Sequence, residues 1–231
     1  MPQTIALIGA MPPEISLLQE SLQNLRSEHM ADFDIYCGEY AGKNVVLALS
    51  GIGKVNAALS TALVLQHRPD FVINTGSAGG LGSGLKVGDV VIGTQTAHHD
   101  VDITAFGYAI GHVPQMPARF ESDPALCAAA EKAAAAFEHA AVHRGLIVSG
   151  DQFVHSSESV AEVRRHFPDA QAVEMEAAAI AQSCHRFGVP FVVVRAISDL
   201  ADEEADTSFE TFLKTASVHS AKMVLQLIEA L

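Results

Sequence analysis

FVVVRAI, residues 191–197, is a nearly unbroken run of apolar residues with one arginine inside it. Such a run is typical of a strand buried on both faces, because a strand with one wet face alternates apolar and polar residues. Similar runs predict further strands at Thr4–Gly9, Ile35–Tyr40, Asn44–Leu49, Phe71–Asn74, Asp89–Thr94 and Gly145–Ser149. Their composition indicates a sheet that other elements cover on both faces.

Helical segments lie between these strands. They are Glu14–Leu25, Lys54–Gln66, Ala125–Ala140, Ala177–Arg186 and Ser208–Leu231. AGK at 41–43 predicts a hairpin turn between the second and third strands. The alternation predicts an α/β fold with a central mixed, mostly parallel twisted sheet and helices on both faces. Because no repeat or linker divides the chain, we expect a single domain over residues 1–231.

Composition excludes several classes of partner. The formal net charge of −13 and the scattered basic residues argue against binding to nucleic acid or to a membrane surface. No apolar run reaches the ~20 residues that span a bilayer. The three cysteines are far apart and odd in number, so a reducing cytoplasm is the expected compartment.

Polar residues follow four apolar stretches at their carboxyl ends. The segments are IGAMPPE (8–14), NTGSAGG (74–80), VEMEA (173–177) and VVVRAISDLADEE (192–204). Loops and helix N-termini converge at that edge of an open α/β sheet, and ligands collect there. We therefore expect this edge to gather Glu14, Ser77, Glu174, Glu176, Arg195 and Asp199.

Each of these residues also has a purely structural interpretation. Glu14 suits the first turn of a helix, where the helix dipole favours an acid. Arg195 in a buried strand requires a carboxylate partner, and Asp199 suits a helix N-cap. The glycines of NTGSAGG suit either a tight turn or the approach of main-chain N–H groups to a ligand. Only the joint placement of the six side chains favours a ligand site.

Two other motifs give weaker signals. GIGKVNAA (51–58) favours a turn that packs a helix on a strand over a phosphate site, because the third glycine of the dinucleotide fingerprint is absent. His98 and His99 are adjacent, so on a strand they point in opposite directions and one metal ion cannot join them. We expect no metal and no organic cofactor. The irregular segment His98–Phe120 is long enough to predict a functional loop.

Seven motifs, in this order and spacing, resemble the 5′-methylthioadenosine/S-adenosylhomocysteine nucleosidase family of the nucleoside phosphorylase superfamily. They are IGAMPPEISLL, SGIGKVNAA, NTGSAGG, HHDVDITAFGY, GLIVSGDQF, AVEMEA and VVVRAISDLAD. The resemblance spans essentially the whole chain and implies a nucleoside phosphorylase-like fold. It implies hydrolysis of methylthioadenosine, S-adenosylhomocysteine and 5′-deoxyadenosine to adenine and the 5-substituted ribose, in methionine salvage and removal of methyl-cycle by-products.

The same resemblance implies roles at the base. Asp199 protonates adenine N7, and Ser198 helps to orient its carboxyl group. Phe153 stacks by the base, while the main chain at Phe153–Val154 reads its edge. Phe209 completes this side of the substrate site.

At the sugar, the resemblance makes Glu176 the acceptor for the ribose hydroxyls, with Met175 packed beneath the ring. Glu14 activates the water, which Arg195 and Ser77 help to hold. An oxocarbenium-like sugar is positively charged, and carboxylates suit it. Glu174 is expected to be a supporting acceptor that partners Arg195.

The resemblance also implies a homodimer. Ile103, Phe106 and Pro114 of one subunit would form the wall around the alkylthio group bound in the other. Apolar residues on an irregular loop form the kind of patch that marks an interface. The alternative is that this loop folds back on its own core.

Two rival functions remain to be weighed. A nucleoside phosphorylase needs several Arg or Lys side chains for its phosphate, whereas IGAMPPE supplies Glu14 and no basic residue. A non-catalytic binding or storage protein would not need Glu14 and Asp199, and both are present. Pro12–Pro13 replaces acids that many relatives carry before the catalytic glutamate, but proline is tolerated in a first helical turn.

Overall fold

The computed structural model describes residues 2–134, 137, 140–202 and 205–231. Within these ranges ten strands form one sheet. The strands are β1 (Thr4–Gly9), β2 (Gln23–Met30), β3 (Phe33–Tyr40), β4 (Lys43–Leu49), β5 (Phe71–Gly80), β6 (Val90–His98), β7 (Phe120–Glu121), β8 (Val142–Ser149), β9 (Ala170–Glu174) and β10 (Phe191–Asp199). The helices are α1 (Pro12–Ser21), α2 (Lys54–Val64), α3 (Pro124–Ala134), α4 (Ser157–His166), α5 (Ala177–Phe187) and α6 (Ala205–Ala230).

The sheet is mixed, as predicted. Parallel pairings join β4, β1, β5 and β10 in one run and β6, β8 and β9 in another. Antiparallel pairings connect the two runs, add β7 and form the β2–β3–β4 edge. Because β10 pairs with both β5 and β6, and β9 with both β8 and β5, these five strands close into a ring in the described part of the chain.

Helices cover both faces of the sheet, which confirms the predicted fold class. Along β1, Ile5 and Leu7 pack in a core cluster with α1, α3 and α6. The alternate residues Ala6 and Ile8 pack in a second cluster with α2 and α5. Side chains of a strand alternate between faces, so one apolar run serves both layers. None of the described helices has the length and apolarity needed to cross a membrane.

Strand β5 is longer than predicted. The sequence predicts a strand at Phe71–Asn74 and leaves open whether the glycines after it form a tight turn or approach a ligand, whereas β5 continues through NTGSAGG to Gly80 and is buried throughout. The added part pairs with β10, and its last residues, Gly79 and Gly80, pair with β9. Pairing with β10, and with β9 at the end of the strand, gives the main chain hydrogen-bond partners, and this offsets the low strand propensity of glycine. The glycines are therefore part of the sheet, and the tight-turn alternative does not hold.

The first predicted helix is also too long. It was expected over Glu14–Leu25, but α1 ends at Ser21 and Leu22 has extended dihedral angles. The next residues form β2, which the sequence does not predict because it lies at the sheet edge and is almost entirely exposed. An exposed strand carries no apolar run from which it can be recognised. Helix α4 and strand β9 were likewise not predicted.

Two other predictions have mixed outcomes. The hairpin at AGK is confirmed, with Ala41 and Gly42 both at positive φ, as tight two-residue hairpins require. The helix predicted over Ala125–Ala140 ends earlier, since α3 is described to Ala134 and Phe137 is not helical. Positions 135, 136, 138 and 139 of that prediction lie outside the described residues.

Candidate active site

A cavity of about 230 Å³ opens at the carboxyl ends of β1, β9 and β10, beside the outer half of β5. All eleven site residues predicted within one chain line it: Glu14, Ser77, Phe153, Val154, Glu174, Met175, Glu176, Arg195, Ser198, Asp199 and Phe209. Their convergence confirms that these motifs meet at one edge of the sheet. Roles for the individual residues remain predictions.

Sequence reasoning missed seven other lining residues. They are Ala10, Met11, Ile52, Ala78, Gly79, Gln152 and Val173. Each lies inside a motif already recognised, so the motif located these residues although no role was assigned to them. Six of them are small or apolar, and Gln152 adds a polar carboxamide to the wall.

Glu14 is held in a fixed position at one end of the cavity, beside Ser77 of β5. Its Oε2 accepts hydrogen bonds from the main-chain N–H groups of Ala10 (2.9 Å) and Met11 (3.0 Å). Its Oε1 accepts from the N–H (2.8 Å) and the hydroxyl (2.9 Å) of Ser77. A residue that is 1% exposed and receives four donors has one fixed orientation. Its place in the first turn of α1 agrees with the helix-dipole interpretation, but the contact with β5 goes beyond it.

Arg195 lies at the centre of a buried network. Its Nη2 donates to Asn74 Oδ1 (2.9 Å), to Glu174 Oε2, and to Glu176 Oε2 (3.4 Å). Its Nη1 donates to the carbonyl oxygen of Ser77 (3.2 Å). Burial acts to lower the pKa of Arg195, but the surrounding carboxylates raise it above its ordinary value. The predicted pairing of Arg195 with Glu174 is confirmed.

Glu174 is bonded on every side. Besides Arg195, it accepts from the hydroxyl of Ser149 and from the main-chain N–H groups of Glu176 (3.0 Å) and Ala177 (2.9 Å). Those N–H groups begin α5 and have no acceptor within the helix. Glu174 therefore joins the start of α5 to β10, and its oxygens are committed to the protein.

Glu176 has fewer partners and is the freer acid. Its Oε1 accepts from the N–H of Gly53 (2.8 Å), and its Oε2 faces Arg195. Burial raises the pKa of Glu176 to about 7; the charge of Glu174 adds to this rise, and Arg195 and the Gly53 N–H oppose it. The two acids of VEMEA both line the cavity but differ in their contacts, since Glu174 bonds the start of α5 and Glu176 bonds the Gly53 N–H.

Asp199 occupies the opposite end of the cavity. Its Oδ2 accepts from the hydroxyl of Ser198 (2.9 Å), and its Oδ1 accepts from the N–H of Ala201 (2.9 Å). Burial raises the pKa of Asp199 above its ordinary value, and these two hydrogen bonds only partly oppose the rise. A carboxyl group in this setting can hold a proton that a solvated aspartate would lose.

Aromatic rings lie at the same end. Phe153 meets Phe209 edge to face, with ring centroids 5.8 Å apart, and it stacks on His155. Phe153 is half exposed, so one surface of its ring is open. Next to it, the buried Val154 has no hydrogen-bond partner for its main-chain groups among the residues that the structure describes. Buried main-chain groups require partners, and a planar heterocycle with edge donors and acceptors would supply them.

The residues predicted to serve the other subunit do not line this cavity. Ile103, Phe106 and Pro114 lie on the irregular segment between β6 and β7. Phe106 is 82% exposed, so the side chain does not fold back on its own core. This exposure argues against the alternative for Phe106, and the homodimer stays a prediction.

The GIGK turn binds carboxylates, a role that sequence reasoning missed. Its Gly53 N–H bonds Glu176, and the Lys54 N–H donates to Asp151 Oδ1 (2.8 Å). Donors at the start of α2 are unpaired within the helix and suit anions. The partial match of this turn to a phosphate-binding loop was the sequence signal for this role. Main-chain N–H groups at the start of a helix bind carboxylates as well as phosphates.

Among the described residues that line the cavity, no three potential metal ligands lie together. Across the described ranges, one group of three potential ligands lies together, Glu28, Cys37 and His67, and none of them lines the cavity. His98 and His99 are both buried, and burial lowers the pKa of each.

Comparison with known proteins identifies the family. The sequence model described as Phosphorylase superfamily matches residues 4–229. The 5′-methylthioadenosine/S-adenosylhomocysteine nucleosidase of Anoxybacillus flavithermus is 54% identical over 228 residues, which are 98% of each chain. The chain belongs to this nucleosidase family. The resemblance drawn from the seven motifs is thereby confirmed.

Solved structures of the nucleosidase family agree with this fold. The enzyme from Neisseria meningitidis, in complex with methylthio-immucillin-A, is 64% identical with a TM-score of 0.98, and the match covers 99% of this chain and 100% of that one. The enzyme from Colwellia psychrerythraea, in complex with adenine, is 44% identical with a TM-score of 0.97, covering 100% and 96%.

Proposed function

We propose that this chain hydrolyses the N-glycosidic bond of 5′-methylthioadenosine and S-adenosylhomocysteine, and also that of 5′-deoxyadenosine. The observation that carries the proposal is one cavity with the buried Asp199, whose pKa burial raises, at one end and the carboxyl groups of Glu14, Glu174 and Glu176 at the other. This arrangement suits a reaction in which adenine leaves with negative charge and the ribose becomes positively charged. Its similarity to nucleosidases bound to a methylthio inhibitor and to adenine supports the same substrates.

At the base, the C1′–N9 bond breaks and its electron pair moves onto adenine. Asp199 gives its proton to N7 and neutralises that charge. The hydroxyl of Ser198 fixes the carboxyl group, and the ring of Phe153 offers a flat surface for the base. The free main-chain groups of Val154 are placed to bond the edge of adenine.

At the sugar, positive charge builds on the ribose ring. Three carboxyl groups lie close to the single guanidinium of Arg195: Glu174 and Glu176 bond it, and Glu14 acts on it electrostatically, so acidic groups are in excess. A buried site in which such groups are already oriented stabilises a cation more than water does. Glu176 has the oxygen best placed for the ribose hydroxyls, and Met175 contributes an apolar floor.

Water completes the reaction by adding to C1′ while Glu14 takes its proton. Phosphate fits this place poorly, because Arg195 is the one basic side chain among the described residues that line the cavity. Four of its hydrogen bonds already go to protein acceptors. A phosphate dianion would instead meet Glu14, and the two would repel each other.

Adenine release from methylthioadenosine tests the proposal. We expect turnover in phosphate-free buffer, with adenine and methylthioribose as products, since Glu14 can take a proton from water and Arg195 is the one basic side chain among the described residues that line the cavity. Added phosphate should leave the rate unchanged. Release that requires phosphate and yields a sugar phosphate would contradict the proposal and make the chain a phosphorylase.

We also propose a homodimer in which each subunit completes its partner's cavity. Large apolar side chains are exposed on segments that include the cavity wall: Ile52, which lines the cavity, Val55 and Leu59 on α2, and Phe106 on the irregular segment. Exposed apolar surface is a mark of protein interfaces. The alkylthio group is apolar, so a wall of Ile103, Phe106 and Pro114 from the partner suits it.

Light scattering and one variant test the shared cavity. We expect a mass of two 24.4 kDa chains at micromolar concentration. Phe106→Ala should weaken methylthioadenosine binding about tenfold or more, as expected for a buried aromatic contact, and leave adenine binding unchanged. Phe187→Ala removes another exposed phenylalanine, at the end of α5, and serves as the control. An active single chain would contradict the proposal.

A cytoplasmic location and a role in methionine salvage complete the proposed function. Cys37, Cys127 and Cys184 are free thiols, which suits a reducing compartment. The substrates named for the family's members contain methionine-derived sulfur, and their cleavage frees adenine and the thiosugar for reuse.

A further inference from the structure

The hydrogen bond from Gly53 to Glu176 is made by a main-chain N–H. Because this donor belongs to the main chain, its direction depends on what fixes the turn. Gly53 has a φ of 96°, a left-handed conformation that glycine adopts without strain. A Cβ at this position would lie 3.2 Å from Asp151 Oδ1, so the turn packs directly against Asp151.

Three charged residues outside the cavity fix this turn. Asp151 Oδ1 accepts from the main-chain N–H of Lys54 (2.8 Å), and the Asp151 N–H donates to Asp100 Oδ2 (2.8 Å). Lys54 Nζ pairs with Asp100 Oδ1 (2.5 Å), which closes a loop of three contacts. The contacts join the start of α2, the end of β6 and the segment after β8.

This loop of contacts is not an ordinary surface ion pair. The side chains of Lys54 and Asp100 are only 17% and 15% exposed, so water screens their attraction weakly. Burial alone would raise the pKa of Asp100, but its bonds to Lys54 and to the Asp151 N–H lower it below the ordinary value. None of the three residues lines the cavity, so any effect on the reaction must pass through the turn.

We propose that Lys54, Asp100 and Asp151 are positioning residues that hold the Gly53 N–H against Glu176 and so tune the sugar end of the site. The inference rests on the proposed function, in which Glu176 meets the cationic ribose. Neither the proposed reaction nor the fold alone would give the GIGK turn this role.

The groups that face Glu176 explain why one N–H matters. Glu174 on β9 and Glu14 on α1 repel its negative charge, and Arg195 on β10 attracts it from 3.4 Å. The Gly53 N–H is the closest donor, at 2.8 Å. If the turn moves, Glu176 keeps both repulsions and loses its best donor. It then holds its proton to higher pH and is a poorer partner for a cation.

Asp151→Ala and Asp151→Asn form the matched pair that tests the inference. The asparagine keeps an oxygen where Oδ1 accepts the Lys54 N–H, whereas the alanine removes it. Calorimetry with a cationic pyrrolidine analogue of the ribose should show about a fivefold to tenfold loss for Asp151→Ala at pH 7. Asp151→Asn should bind like wild type, and adenine affinity should be the same in all three proteins.

Two further readouts do not depend on turnover. In the free protein, the Gly53 amide proton should shift with the ionisation of Glu176, at a midpoint near the pKa of about 7. In Asp151→Ala that midpoint should move to higher pH and the amide proton should lose its hydrogen-bonded shift. Lys54→Met keeps the main-chain N–H but breaks the pair with Asp100, and we expect the same changes at smaller size.

Asp169→Ala, which breaks an exposed ion pair with Arg119, is the control for the loss of an acidic side chain. Wild-type cleavage of methylthioadenosine, measured alongside, reports separately on the proposed function. The inference is overturned if Asp151→Ala leaves the Gly53 amide and analogue binding unchanged. It is also overturned if adenine and the analogue lose affinity equally, or if Asp151→Asn behaves like the alanine variant.

Discussion

Asp199→Asn is expected to lower kcat/KM for methylthioadenosine by about 10²–10⁴-fold, the usual size of general acid catalysis. Asparagine keeps an oxygen for the Ala201 N–H but has no acidic proton to give to the leaving base. The loss should appear in steady-state assays of adenine release, while circular dichroism and adenine binding stay close to wild type. Asp169→Asn, on an exposed ion pair, is the control and should keep full activity.

Stability gives an independent check on the same residue. Burial raises the pKa of Asp199 in the folded protein, so the folded state holds this proton more tightly than the unfolded state. The resulting stabilisation is complete below the ordinary pKa of an aspartate and is lost as pH rises through the raised value. Asparagine carries no charge, so the variant should melt no lower than wild type at neutral pH. Retention of more than about a third of wild-type turnover would rule out general acid catalysis by Asp199.

Arg195→Met is expected to reduce the free energy of unfolding by about 3–5 kcal/mol, the usual cost of breaking a buried ion pair by removing one partner. The Glu174 and Glu176 side chains are only 3% and 5% exposed and would lose their common cation. Urea unfolding at pH 7 measures the effect. The deficit should shrink as pH falls, because protonation removes the charges left unpaired.

Arg119→Met provides the comparison, since Arg119 pairs with the exposed Asp169, and such surface pairs contribute at most about 1 kcal/mol. Adding Glu174→Gln to Arg195→Met should recover part of the stability if the two side chains act as a pair. An Arg195→Met protein with wild-type stability but no turnover would instead show that Arg195 acts on the substrate or the water.

The sequence located the site better than it located the secondary structure around it. The sequence predicts that Glu14, Ser77 and Asp199 lie close together, because each follows an apolar run and the carboxyl ends of such strands share one edge of the sheet. Strand β2 gave no such signal, since its residues are exposed and carry no periodic apolar pattern. The extension of β5 through its glycines depends on neighbours distant in sequence, and local propensity opposes it.

The two acids of VEMEA have different hydrogen-bond partners, which the sequence pattern alone does not predict. Glu174 and Glu176 are the same residue type two positions apart, and each is nearly completely buried. What separates them is the direction of each side chain, one toward the first N–H groups of α5 and the other toward Gly53. The contribution of Gly53 comes from a turn more than a hundred positions earlier, so no local window reveals it.

The closed ring of β5, β10, β6, β8 and β9 has a consequence for how the protein opens. A strand in the ring has a hydrogen-bonded neighbour on each side within the described residues, so releasing it breaks two ladders at once. Amide protons on β5 and β10, which carry Ser77 and Arg195, should therefore exchange with deuterium only through global unfolding. Those of the edge strand β2 should exchange early. Proteolysis and deuterium exchange should therefore affect the edge strand β2 long before they affect the site residues on β5 and β10.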